Sequence, residues 1–183
     1  MRRTKTKAFA RFRGGCFLGC ACVLSLVSAR VEAMEVDLGA SVGGMLAGSV
    51  PRFAVSPYGG LSWPLGSNFV FVVHDMVSLL LAADNHGPGV YDHLSVAGGF
   101  AWEDGKIIVG PSLSVFSMPA CGPLWCARVG GFGAGASARA DLFFWGPAGV
   151  SLSGNVDVPI QSNSVLPGGP AWMLLAGAVF RVR

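Results

Sequence analysis

From residue 35 onward, apolar and polar residues alternate along the chain with a period of two, and this pattern limits the fold more than any other feature. Side chains of a β-strand point alternately to its two faces, so the alternation indicates strands with one apolar and one polar face. The pattern is clearest over Gly149–Val158. There the apolar face carries Val150, Leu152, Val156 and Val158, and the polar face carries Ser151, Ser153, Asn155 and Asp157.

Residues typical of turns divide this part of the chain into segments of strand length, and we predict a strand for each. They are Glu35–Leu46, Arg52–Trp63, Asn68–Leu81, His93–Trp102, Lys106–Phe116, Ala127–Phe144, Gly149–Val158 and Ala171–Arg183. In the segments that can be phased, the polar face includes Glu35, Asp37, His93, Ser95, Ser112, Ser114, Arg139 and Asp141. The third segment is apolar on both faces, so its phase stays open.

A strand with one apolar face suits either lipid around a membrane barrel or the core of a soluble β-sandwich. No apolar run of about 18 residues follows residue 33, which disfavours a helical membrane protein. Connections 64–67, 103–105 and 145–148 are tight, whereas 82–92, 117–126 and 159–170 are longer. Such alternation is typical of outer-membrane barrels, whose termini lie at the short-turn end. We therefore predict an all-β fold over residues 34–183, an eight-stranded antiparallel up-and-down transmembrane β-barrel, with the sandwich as the alternative.

Aromatic residues are predicted to form girdles at the two membrane interfaces. Those near the short turns are Trp63, Phe69, Phe71, Phe100, Trp102, Phe144, Trp145 and Phe180. Those near the longer loops are Tyr91, Phe116, Trp125 and Trp172.

With these strands, loops and girdles, residues 35–183 resemble the small eight-stranded outer-membrane barrels of the OmpA/OmpX-like architecture. The resemblance is one of pattern, without a diagnostic motif. It implies a monomer that contacts outer-membrane lipid and is inserted by the barrel assembly machinery. The expected role is structural or interactive, through loops His86–Tyr91, Met118–Trp125 and Ser162–Pro170, without catalysis. Such barrels usually end on an aromatic residue, whereas here Phe180 is followed by three further residues.

Residues 1–33 are predicted to be a cleavable signal peptide. Residues 1–15 are basic without an acid, residues 16–29 are apolar, and Val31-Glu32-Ala33 resembles a cleavage site. Seven of the 13 Lys and Arg residues but only one of the ten acids lie in this segment, so its removal changes the net charge from +3 to −3. The mature chain therefore lacks the basic excess typical of nucleic-acid binding, and its predicted destination is the outer membrane.

Five charged residues are predicted to form ion pairs inside the barrel. Closure would place the last strand antiparallel to the first, so Arg181 is expected near Glu35 and Asp37. Arg139 and Asp141 share the inward face of the sixth strand. The interior of an eight-stranded barrel is only wide enough for side chains to fill it, so these pairs are expected to be structural and a channel would need a wider lumen.

The two cysteines that follow the signal segment, Cys121 and Cys126, are predicted to form a disulfide. They bracket a short turn-forming segment, Gly122-Pro123-Leu124-Trp125, in an exported chain. A loop this small gives modest stabilisation. Without a neighbouring His or acid the pair makes a poor metal site, and the sequence indicates no metal or cofactor.

His93 and Ser95 are the residues that suggest an alternative function. Two positions apart on a strand, they share a face and could act as base and nucleophile. Their spacing is similar to the His-x-Ser of lipid A deacylases, which are barrel enzymes of the outer membrane. That family continues with Asn where this chain has Val96, and the phasing points both side chains inward rather than to lipid. The alternatives are therefore a barrel enzyme acting on outer-membrane lipid, or a secreted soluble β-sandwich that binds a partner.

Overall fold

Eight antiparallel strands form one closed sheet in the computed structural model, which describes residues 34–47, 50–81, 87–122, 125–162 and 170–182. The strands are β1 (Glu35–Ala47), β2 (Val50–Pro64), β3 (Phe69–Leu81), β4 (Gly89–Trp102), β5 (Gly105–Gly122), β6 (Trp125–Trp145), β7 (Ala148–Ser162) and β8 (Ala171–Val182). Each strand pairs with the next, and β8 pairs with β1. The barrel is confirmed, and the β-sandwich is wrong because this sheet has no edge.

The described residues contain no helix long and apolar enough to cross a membrane. Residues 1–33 lie outside the described part of the chain, so the signal peptide stays a prediction.

The two faces of the strands are distributed as the alternation predicts. On β7 the polar side chains of Ser151, Ser153 and Asn155 are buried inside, whereas Val150 and Leu152 are exposed outside. The predicted phases of β1, β4, β5 and β6 are confirmed in the same way. The barrel therefore has a polar interior and an apolar exterior, the reverse of a soluble protein.

The structure settles the phase of β3, which the sequence left open. The inward residues are Val70, Val72, His74, Met76, Ser78 and Leu80, all buried. Phe69, Phe71, Val77, Leu79 and Leu81 are exposed on the outside. Polarity could not reveal this phase because apolar residues occupy both faces.

The connection between β5 and β6 differs from the prediction of a long loop at 117–126. β5 continues to Gly122 and β6 begins at Trp125, so the two strands form a hairpin that continues past its neighbours. The last pairs with β4 and β7 are Val90↔Ser117 and Gly131↔Ser162. Proline is tolerated where a strand has a free side, and Pro119 lies beyond the last pair with β4. Proline and glycine in residues 117–126 therefore mark where β5 and β6 stop pairing with β4 and β7, and not where the two strands end.

The predicted aromatic girdle is confirmed at one end of the barrel and only partly at the other. At the end of the short turns 65–68, 103–104 and 146–147, here named the turn end, Phe69, Phe100, Phe144, Trp145 and Phe180 are exposed outside. At the opposite or loop end, Trp172 is exposed as predicted, the side chain of Trp125 lies outside the described residues, and Tyr91 and Phe116 are buried inside the barrel instead. Tyr91 and Phe116 are each two residues from an inward-facing residue of the same strand, His93 and Ser114. The alternation along the strands therefore already predicts that both rings point into the lumen.

Candidate functional site

Six charged residues meet inside the barrel at its turn end, and we name them the charged layer. They are Glu35, Asp37, Lys106, Arg139, Asp141 and Arg181. All come from strand ends near the short turns: the starts of β1 and β5 and the ends of β6 and β8. Charged side chains that are buried in the interior of a barrel are tolerated only when they are paired.

Lys106 lies at the centre of the charged layer and is almost completely buried. Its Nζ donates to Asp37 Oδ2 and, at 2.9 Å, to Ser62 Oγ, and it lies 3.9 Å from Asp141 Oδ2. The sequence alone places Lys106 at the start of a strand and indicates no partner for it. Lys106 is separated from Ser112 and Ser114 on β5 by an even number of residues, and this spacing is the sequence signal that places it on the same, inward face.

Arg139 and Asp141 contact each other along the inward face of β6. The Nε of Arg139 donates to Asp141 Oδ1 at 2.7 Å, and the guanidinium lies 4.2 Å from the centre of the Tyr58 ring. Tyr58 in turn donates to the carbonyl of Ala178 at 3.1 Å. The polar interior is thus connected across β2, β6 and β8.

Arg181 occupies the seam where the barrel closes. Its Nε lies 3.3 Å from Glu35 Oε2 and 3.9 Å from Asp37 Oδ1, and its guanidinium stacks 3.8 Å from the centre of the Phe143 ring. Asp37 and Arg181 are direct partners in the register of β1 and β8. These contacts hold the first and last strands together at the turn end.

Arg181→Ala is expected to lower the free energy of unfolding by about 1–3 kcal/mol, because Asp37 would lose a charged neighbour in a buried site. Urea unfolding of the purified barrel in detergent micelles measures this effect. Arg128→Ala is the matched control, since Arg128 is an exposed arginine at the loop end of β6. Equal midpoints for the two variants would contradict a role for Arg181 in closing the barrel.

Two imidazoles occupy the middle of the lumen, and neither forms the pair that the His-x-Ser spacing suggested. His74 Nδ1 lies 3.2 Å from Ser95 Oγ, whereas His93 Nε2 lies 3.8 Å from Asp157 Oδ2. Ser112 donates to the other oxygen of Asp157 at 2.8 Å. His93 and Ser95 both face the interior, as the phasing predicts, and so point away from the outer surface of the barrel.

The loop end of the lumen is filled by apolar side chains. The buried cluster there includes Met45, Ala54, Leu80, Tyr91, Phe116, Met118, Val129 and Met173. Arg52 reaches from β2 to donate to the carbonyl of Pro119 on β5 at 2.7 Å. The hairpin β5–β6 is thereby fixed against the opposite wall, and packed side chains occupy the mouth.

Cys121 and Cys126 are direct partners in the register of β5 and β6. Their side chains lie outside the part of the chain that the structure describes. The disulfide therefore stays a prediction, now between facing positions near the tip of a hairpin.

A closed barrel of eight antiparallel strands, polar inside and apolar outside, is the fold of the small outer-membrane β-barrels. Among solved structures, the chain is similar to the N-terminal β-barrel domain of Pseudomonas aeruginosa OprF, with 13% identity and a TM-score of 0.54 over 81% of this chain and 97% of that one. It is also similar to Neisserial surface protein A, with 13% identity and a TM-score of 0.55 over 80% and 96% of the two chains. No protein-family model matches the sequence, and no curated protein matches it either.

Proposed function

We propose that the chain is a non-enzymatic barrel of the outer membrane, with a structural or surface-interaction role carried by its loop end. The observation that carries this proposal is the belt of exposed apolar side chains around the outside of the barrel, here named the apolar belt. Every strand contributes to it, with Val42, Phe53, Val77, Leu94, Leu113, Phe132, Leu152 and Leu174 among its members. Asp75 on β3 and Asp92 on β4 are neighbouring carboxyl groups that interrupt it on the same outer face.

The apolar belt favours lipid over water as its surroundings. Leu113 and Leu174 are 61% and 63% exposed in mid-strand positions of β5 and β8. Contiguous apolar patches of more than a few hundred Å² are rare on soluble monomers, whereas this belt encircles the molecule. Exposed Trp145 and Phe144 at the turn end suit an interface between hydrocarbon and water.

The filled lumen supports a role at the surface over one in transport. The charged layer occupies one end and the apolar cluster with Met118 and Tyr91 occupies the other. The residues that suggested an enzyme, His93 and Ser95, face this interior rather than lipid. The connections 82–88 and 163–170 and the tip of the β5–β6 hairpin remain as the parts available to a partner outside the cell.

The same proposal includes export and assembly. We infer that residues 1–33 are removed as a signal peptide, that the barrel assembly machinery inserts the mature chain, and that it functions as a monomer. N-terminal sequencing of the protein from membranes is expected to begin at Met34. An N-terminus at Met1 would contradict cleavage without affecting the barrel.

Membrane fractionation combined with a boiled and an unboiled gel lane tests the location. We expect the protein in the outer-membrane fraction, with faster migration before boiling because a folded barrel resists the detergent. An epitope inserted after Asn85 should be detected on intact cells, whereas one inserted after Asp104 should not. Recovery in the soluble fraction, or detection of the tag at Asp104 alone, would refute the proposal.

Leu152→Arg tests whether the apolar belt contacts lipid. Leu152 is exposed and lies near the middle of β7, so an arginine there is expected to cost about 2–4 kcal/mol in a bilayer. Ile160→Arg is the matched control, because Ile160 is also exposed but lies towards the loop end of the same strand, where the cost falls to about 0–1 kcal/mol. Equal stabilities of the two variants in lipid vesicles would show that this belt faces water.

A further inference from the structure

The lumen is unusually rich in thioethers. Met45, Met76, Met118 and Met173 are all at most 5% exposed and belong to one contiguous buried cluster. A methionine is a common filler of irregular gaps, so burial alone assigns no function. The function proposed below rests on the position of Met76 and Met173 relative to one histidine, His93.

His93 is a fully buried imidazole that approaches Asp157 without forming a hydrogen bond. Neither Nδ1 nor Nε2 has a hydrogen-bond partner on another described residue, although the side chain is 0% exposed. Its direct cross-strand partner on β3 is Met76, which is also on the inward face. Burying an imidazole without a partner costs free energy, so a ligand that binds the ring nitrogen would recover this cost.

Met173 reaches the same section of the lumen from the opposite wall. Its Sδ lies 3.8 Å from the Oγ of Ser78, which is the next inward residue after Met76 on β3. From the other side, His93 approaches Asp157, two residues from Asn155, and Asn155 is the register partner of Met173. Met76 is therefore adjacent to His93 in the register of β3 and β4, and the sulfur of Met173 lies beside Ser78, one inward position nearer the loop end.

We propose that Met76, His93 and Met173 bind one soft monovalent metal ion, Cu(I) or Ag(I). Thioether sulfur selects Cu(I) among biological metals, and imidazole is a common partner ligand. The carboxylate of Asp157, 3.8 Å from His93, offsets the positive charge of the ion. Arg52, a cationic side chain at the mouth, directs its guanidinium to the carbonyl of Pro119. A harder divalent ion is disfavoured, because the described residues contain no group of three His, Cys or carboxylate side chains able to hold one.

The experiment is a titration of the folded barrel in detergent micelles with Ag(I), in competition with a chelator of known affinity. The starting protein carries Cys121→Ser and Cys126→Ser, which removes the two cysteine sulfurs from competition for the ion. We expect one ion per barrel, and at least a tenfold loss of affinity in Met76→Leu/Met173→Leu. Met118→Leu is the matched control, because Met118 is an equally buried methionine at the mouth, and it should bind as the parent does.

Leucine nearly conserves the volume of methionine, so the variants are expected to keep the faster migration of the unboiled barrel. Should the double variant not fold, NMR of the parent supplies the second measurement: Ag(I) must shift the ring resonances of His93 and the methyl resonances of Met76 and Met173. Absence of binding, unshifted His93 resonances, or equal affinity of the double variant and Met118→Leu would each overturn the proposal.

Discussion

Lys106→Met will destabilise the barrel by about 3–5 kcal/mol, the cost typical of removing one partner from a buried ion pair. Lys106 contacts Asp37 and lies 3.9 Å from Asp141, and all three side chains are almost completely inaccessible to water. Without the ammonium group, the carboxylate of Asp37 keeps Ser62 and the more distant Arg181 as its neighbours. Urea unfolding in micelles, followed by the loss of the faster-migrating form, measures the change.

A second substitution distinguishes loss of the ion pair from loss of side-chain packing as the cause of the lower stability. Asp37→Asn added to Lys106→Met removes the charge that has lost its closest partner and should recover part of the lost stability, although each single change destabilises. Arg128→Met removes an exposed positive charge at the loop end and should leave the unfolding midpoint nearly unchanged. A Lys106→Met midpoint equal to that of Arg128→Met would show that the charged layer does not stabilise the barrel.

Gly135→Val will prevent the barrel from closing. A Cβ at Gly135 would lie 1.8 Å from the carbonyl oxygen of Val156 and 2.4 Å from Oδ1 of Asp157. Real Cβ atoms do not approach backbone this closely, and β6 cannot retreat without losing its pairing with β7, where Gly135 faces Asp157. We expect no faster-migrating form in the unboiled gel lane after refolding.

Gly154→Val is the matched control for this prediction. Gly154 lies on β7, two residues from Val156, but the nearest atom to its added Cβ is the carbonyl oxygen of Met173 at 3.8 Å. A valine there joins the apolar belt and should be tolerated. Failure of both variants would indicate that any β-branched residue disturbs this pair of strands, and folding of both would contradict the close approach at Gly135.

Much of the fold could be predicted because polarity and parity agree along most strands. On β7, serine, asparagine and aspartate occupy every second position, which fixed the inward face from sequence alone. On β3 both faces are apolar, and only pairing with β2 and β4 decides that Met76 and Ser78 point inward. The prediction for Tyr91 and Phe116 was wrong because aromatic residue type suggests an outer girdle, whereas their positions in the strands point both side chains inward.

The candidate site was harder to predict, because its residues come from distant parts of the chain. Arg181 was expected near Asp37 because closure joins the first and last strands. Lys106 reaches Asp37 across the lumen from β5, and no periodicity along the sequence indicates a contact between strands that are not neighbours. His93 likewise faces Asp157 on β7, a partner that only the diameter and stagger of the barrel determine.

The charged layer also determines which pairing of strands is allowed. If one strand slid by two residues, every side chain would keep its face, and the outside would exchange one apolar residue for another at little cost. Inside, a slip of β1 or β8 would separate Asp37 from Arg181, and a slip of β5 or β6 would separate Lys106 from Asp141, because these residues are direct cross-strand partners. The alternation of apolar and polar residues specifies which face of each strand points outward, whereas a few buried charges at the turn end distinguish the native strand register from a slipped one.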